Sequence, residues 1–307
     1  MIPLNNNDRL KKYAAISSIS VAILLTICKF VAFIKTDSLA VFSSFIDSLT
    51  DLFASLISYI AVYFSLKPAS CNHRYGYGKS EALSALLQAI FVGASGVFVI
   101  FDGINRLFNP VEIVDTSIGI YIMIFSIFST IMLVVFQTYV ANKTNSLAIK
   151  ADRAHYTVDF LTNSTVIISL VLVRIFGFVY FDVIAALFIS AYLLYNAYDL
   201  AKESIEQITD KELSENIREN IIKIVKMCDD VSGIHDLRTR SVGDVYYIEL
   251  HLEINGSFSL KKAHDISYNV ETKILEVYPN SQIIIHQDPY GVEEERLDNK
   301  FDNGCLI

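Results

Sequence analysis

The sequence predicts a helical membrane protein, a six-span bundle followed by a small cytoplasmic α+β domain of order α-β-β-α-β. Three observations predict it. Six predominantly apolar stretches fill the first two thirds of the 307-residue chain, each near the roughly 20 residues that cross a bilayer. Hydrophobic residues make up 53% and charged residues only 19%, against about 25% charged in ordinary soluble domains. The net charge of −8 lies wholly in the last third: residues 1–206 hold 14 basic and 14 acidic side chains, whereas residues 207–307 hold 11 and 19. This composition excludes a disordered chain, a collagen-like chain and a basic nucleic-acid binder, and it argues against an ordinary soluble enzyme.

The apolar stretches run over residues 13–34, 39–66, 82–101, 117–140, 156–176 and 180–200. The first exceeds a signal-peptide core and lacks a small-residue cleavage site, so it reads as a retained span. Six is even, so both termini share one side. Arg9, Lys11, Lys12, Lys67, Arg74, Lys79, Lys143, Lys150 and Arg153 would fall on that side, and Lys35, Arg106 and Arg174 on the other. The excess of Lys and Arg places both termini in the cytoplasm of a multi-pass cell-membrane protein.

The texture changes after about Ala201. The expected division is a transmembrane domain over 1–206, a cytoplasmic domain over 207–290 and a disordered acidic tail over 291–307. Residues 212–227 read as an amphipathic helix with Ile217, Ile221, Ile224 and Val225 on one side. A short strand follows over 235–240. Residues 246–254 alternate, with Ile248, Leu250 and Leu252 on one face and Glu249, His251 and Glu253 on the other. A helix over 260–277 and a strand over 281–286 complete the domain, which Pro289 and Gly291 close. Cys28, Cys71, Cys228 and Cys305 form no CxxC pair and suggest no disulfide framework, which is compatible with a reducing compartment.

The second stretch carries Asp47 and Asp51, four residues apart, and the fifth carries His155 and Asp159 at the same spacing. Four residues on an α-helix advance about 6 Å and turn about 40°, so each pair shares a face. Two such helices facing each other would pool one imidazole and three carboxylates, a ligand set for a first-row divalent cation. The alternative is that these are helix-end residues in contact with water. Against it, each carboxylate at mid-membrane costs about 2.5–3.5 kcal/mol, and Lys29 in the first stretch is the one cation near enough to compensate. Intramembrane ionisable residues usually mark ion pathways.

Of six histidines, four fall in the soluble domain: His235, His251, His264 and His286. His286 is followed by Gln287 and Asp288. If the strands are neighbours, several imidazoles and Asp288 meet at one sheet end as a second metal site; the alternative for each is a solvated surface position. In the loop after the second stretch, Cys71 and His73 could supply two ligands, which do not close a site.

On these residues the sequence resembles the cation diffusion facilitator family, specifically its bacterial zinc and ferrous-iron efflux type. The paired DxxxD and HxxxD match at Asp47, Asp51, His155 and Asp159. The loop signature matches from His73 to Lys79, and the soluble domain matches at His235, at His251 and from Ile285 to Pro289. The loop departs from the family pattern at Ser70 and Tyr77, where an acidic residue and a second histidine stand in the family. The resemblance implies a homodimer in the lipid bilayer with six spans per protomer, and export of a divalent cation in exchange for protons. It makes Asp47, Asp51, His155 and Asp159 the transport site. It makes His235, His251, His264, His286, Gln287 and Asp288 a cytoplasmic metal cluster, and Lys79 and Asp210 a charge interlock.

Histidine with carboxylates suits zinc first and ferrous iron or cadmium next; an all-oxygen site would suit manganese better. Such ligands bind metal deprotonated, so metal and protons exclude each other. Two rival readings are a membrane-anchored metal sensor without transport and a proton-coupled exporter of organic cations. No nucleophile elbow, phosphate loop or dinucleotide fingerprint suggests an enzyme.

Overall fold

A computed structural model of the chain describes residues 6–36, 39–108, 117–176, 181–292 and 296–297. The expected acidic tail lies mostly outside these residues. The chain divides into two compact units, Met1–Ile205 and Glu206–Ile307.

The first unit is built of long helices: α1 (Asn6–Thr36), α2 (Leu39–Ser65), α3 (Lys79–Phe108), α4 (Ser117–Thr144), α5 (Leu147–Phe176) and α6 (Phe181–Ile208). Among the described residues, α1, α2, α3 and α4 contain segments long and apolar enough to cross a membrane by composition alone. Helix α5 carries Lys150, Asp152, Arg153, Asp159 and Arg174. This helix also begins nine residues before the expected start at Tyr156. Asp152, Arg153 and His155 are therefore inside it.

Small residues set the interior of this unit. Ala14, Ala15, Ala61, Ala141 and Ala148 are buried where α1, α2, α4 and α5 meet, as expected where helices must approach closely in lipid. Gly96 of α3 lies so near α6 that a Cβ there would sit 3.3 Å from Leu193. Large apolar side chains such as Phe98, Phe101, Phe128 and Phe188 point outward, the reverse of a water-soluble bundle.

The second unit contains α7 (Glu215–Lys226), β1 (Val231–Val242), β2 (Val245–Ile254), α8 (Leu260–Val277) and β3 (Ser281–Pro289). The sheet order is β1-β2-β3. β1 and β2 form an antiparallel hairpin through a two-residue turn at Gly243, whose φ is +64°, a backbone region open to glycine. β3 lies parallel to β2, which a crossover must supply; α8 is that crossover. Ser259 caps α8 by accepting a hydrogen bond from Lys262 N.

One sheet face is apolar. Ile248, Leu250, Leu252 and Ile254 pack with Ile221 and Val225 of α7 and Ile266, Val270 and Ile274 of α8. Leu252 is fully buried there, so Leu252→Ala is expected to destabilise this unit by about 2–5 kcal/mol. The measurement is amide hydrogen exchange across β2 in the full chain, which should quicken about thirtyfold or more at constant solvent conditions. An unchanged rate would place Leu252 outside the core that holds the sheet.

Candidate metal sites

In the membrane unit, α2 and α5 pack side by side and bring three of the four expected groups together. His155 Nε2 lies 3.1 Å from Asp51 Oδ1 and 3.8 Å from Asp159 Oδ2. One ligand atom from each of Asp51, His155 and Asp159 lies within 4.8 Å of the others. His155 is buried and the two carboxylates are half-buried. Asp159 Oδ2 is a buried acceptor that receives no hydrogen bond, a condition that a cation or a proton would relieve. Asp47, one turn before Asp51, is more open and lies outside this trio. It is within electrostatic reach of Asp51, Asp159 and Lys29, and Lys29 itself is buried in α1.

In the soluble unit the register explains the second cluster. His235 pairs with His251 across β1 and β2, and His251 pairs with His286 across β2 and β3. Directly paired residues project from the same face of a sheet, so three imidazoles form a row on the face opposite the apolar core. Their ring centroids are 5.1 and 4.6 Å apart. Asp288 spans the row: its Oδ2 lies 2.8 Å from His251 Nδ1 and 3.3 Å from His235 Nε2, and its Oδ1 lies 3.2 Å from His286 Nε2. The donor set of three imidazoles and one carboxylate fits a transition metal ion.

Gln287 and His264 stand apart from this cluster. Alternation along β3 turns Gln287 to the opposite face, where its Nε2 donates to Ser267 Oγ of α8 at 2.9 Å. His264 is exposed on α8 and stacks on Tyr268. In the loop between α2 and α3, His73 is exposed and stacks on Tyr77 at 4.5 Å, while Ser70 and Tyr77 share a 3.1 Å hydrogen bond. Neither His73 nor Cys71 belongs to a group able to hold a metal among the described residues. Asp210 pairs with Arg240 at 3.3 Å within the soluble unit.

Sequence reasoning missed several residues. Glu253 Oε1 lies 3.2 Å from His235 Nδ1 and also pairs with Arg296; its place two residues after His251, on the same face, was a usable signal. Asp236 joins His235 and His251 in a possible ligand group. A register shift between His235 and Arg238, with Asp236 at φ +49°, puts it there, and no periodicity announces such a bulge. In the membrane unit, buried Glu81 of α3 accepts from Lys11 of α1, Ser65 of α2 and Ser146 before α5. Asp152 is also buried, one turn before His155.

The family model described as cation efflux transmembrane domain matches residues 15–209, and the one described as cation efflux protein, cytoplasmic domain, matches residues 213–290. Protein p34 of Rickettsia rickettsii is 40% identical over 290 residues, covering 94% of this chain and 96% of the relative. The cation-efflux pump FieF of Yersinia enterocolitica is 40% identical over 284 residues, covering 92% and 94%. Among solved structures, the metal-bound C-terminal domain of the CzcD transporter from Thermotoga maritima is 26% identical and covers 27% of this chain and all of that one, with a TM-score of 0.26. With both family models matched in order and along nearly its whole length, this chain belongs to the cation diffusion facilitator family and is a multi-pass membrane cation efflux transporter.

Proposed function

We propose that this protein exports a divalent transition-metal ion, zinc before ferrous iron or cadmium, from the cytoplasm in exchange for protons. The observation that carries the reading is the convergence of Asp51, His155 and Asp159 from α2 and α5, with a buried Asp159 oxygen that receives no hydrogen bond. Asp47 completes the ligand set from the more open side of α2. The substrate ion meets nitrogen and oxygen donors, which suit zinc. Loading requires a neutral imidazole and ionised carboxylates, so it expels protons, and protonation from the other side releases the ion.

Both termini and the second unit lie in the cytoplasm, where the acidic domain enriches cations. His235, His251, His286 and Asp288 would hold a resident metal ion there. When bound, that ion would tie the three strands together at the sheet face and support a homodimer. Two copies of the chain in the bilayer form the working unit.

The test is a flux assay on the full chain in liposomes under an imposed pH gradient, with zinc, ferrous iron, cadmium and manganese in turn. Zinc flux is expected to follow the gradient and to collapse when a protonophore dissipates it. Zinc flux that is indifferent to the gradient would refute proton exchange, and absent flux with intact metal binding would favour the sensor reading.

A further inference from the structure

Helices α3, α4, α5 and α6 of the membrane unit line a cavity of about 280 Å³. Its apolar wall includes Val92, Val158 and Leu193, which are buried and pack together. Its polar wall is formed by Thr138 of α4, Arg153 and Thr157 of α5, and Asn196 of α6. Three of these four spend hydrogen bonds on their own helices. Thr138 Oγ1 donates to Val134 O, Thr157 Oγ1 to Arg153 O, and Asn196 Nδ2 to Tyr192 O. The fourth is the guanidinium of Arg153, a planar group of N–H donors that accepts nothing.

No acidic side chain lines this cavity. Lys150, three residues before Arg153 on α5, pairs with Glu203 of α6 at 2.5 Å. Arg153 has no such carboxylate partner among the described residues. Asp152, its neighbour in the chain, is engaged by Gln137 of α4 instead. Arg153 is half-buried. A partly desolvated cation without a counter-ion attracts an anion, and a guanidinium matches the oxygens of a phosphate two at a time. The cavity therefore offers a charge that the metal trio of Asp51, His155 and Asp159 does not use.

The level of the cavity in the bundle suits a lipid headgroup. Arg153 lies six residues after Leu147, where α5 starts, and Thr138 lies six residues before Thr144, where α4 ends. Each is thus about 9 Å along its helix from the same end of the bundle. Headgroups occupy about 5–8 Å on each side of the hydrocarbon core, and the long arginine stem covers the remainder. On the same helices, Val135 and Tyr139 of α4 and Phe188 and Tyr195 of α6 are exposed. They form an apolar rim with tyrosines, a residue enriched at the membrane interface, along which acyl chains can lie. We propose that this cavity is a binding site for an anionic phospholipid, held by its phosphate on Arg153. A headgroup that carries an ammonium, such as choline, meets a cation there and no carboxylate. The inference depends on residence in a membrane, and not on the ion transported or on proton exchange.

The experiment titrates the full chain, purified in a neutral detergent, with phosphatidylglycerol, phosphatidylcholine and inorganic phosphate in turn, and counts bound molecules by native mass spectrometry. The wild type should retain one phosphatidylglycerol per chain more tightly than phosphatidylcholine, and inorganic phosphate in excess should not displace it. Arg153→Gln should weaken phosphatidylglycerol binding by about tenfold or more, the range for hydrogen bonds to a charged group. Arg153→Lys should fall between the two, because an ammonium is a point charge without the guanidinium fork. Thr138→Phe fills the cavity and keeps the arginine; it should weaken the lipid to a similar degree, and it decides the matter if Arg153→Gln does not fold. Circular dichroism of each variant reports folding. Wild-type affinity in Arg153→Gln, or in Thr138→Phe where only that variant folds, would overturn the site. Equal retention of the two lipids would overturn the anionic assignment, and displacement by inorganic phosphate would make the cavity a free-phosphate site and overturn the lipid.

Discussion

Asp51→Ala is expected to abolish metal flux and to leave the protein folded. Asp51 is the α2 member of the ligand trio, 3.1 Å from His155 Nε2, and its loss leaves only the more open Asp47 on α2 to join His155 and Asp159 of α5. A tetrahedral site then lacks one of its four protein ligands. Removal of even an outer partner of a metal ligand costs about 10–100-fold in affinity, so removal of a direct ligand should exceed about a hundredfold. Folding should survive, because alanine is a better helix former than aspartate and the change removes a charge from a membrane interior, where charges are costly. The measurement pairs zinc flux in liposomes with zinc binding by the soluble cluster, which should persist. Wild-type flux in this variant would remove the α2–α5 trio from the transport path.

The second large effect is expected in the soluble unit. Asp288→Ala should weaken zinc binding there by about a hundredfold or more, on the same reasoning. Among the described residues, Asp288 is the one carboxylate within reach of all three imidazoles of the row, through both of its oxygens. Without it, His235, His251 and His286 remain side by side with no shared anion. Glu253, which already pairs with Arg296 and His235, is the nearest substitute. Equilibrium dialysis of the full chain should show the loss of the soluble zinc equivalents, while flux at saturating metal continues through the membrane trio. Unchanged binding would show that Glu253 and Asp236, rather than Asp288, supply the anionic ligands of this face.

Much of the candidate chemistry was legible because it repeats at helical and strand periods. Asp47 and Asp51, and His155 and Asp159, are each four residues apart, and helix geometry alone puts each pair on one face. The alternation of residues 246–254 separated Ile248, Leu250 and Leu252 from His251 and Glu253 without any knowledge of partners. Helix α8 begins and ends where its Ser259 cap and apolar spacing place it. What escaped was set by register and helix length. The extension of α5 back to Leu147 drew Asp152 into the buried interior, and local hydropathy is weak there because charged residues break the apolar run. The β1 bulge brought Asp236 beside His235, a displacement that a period of two cannot express.

Composition and local pattern were enough to establish a membrane helical unit joined to an acidic α+β unit, and to nominate two sets of metal-binding residues. Hydropathy and spacing are properties of neighbours in the chain, so they carry that far. Which nominees meet was a matter of packing. The α2–α5 contact joined Asp51 to His155 and Asp159 and left Asp47 at the edge. Strand pairing aligned three histidines around Asp288, while strand alternation turned Gln287 away. Those outcomes depend on residues at least 16 positions apart in the chain, His235 and His251 being the nearest pair, whose distances only the folded backbone sets.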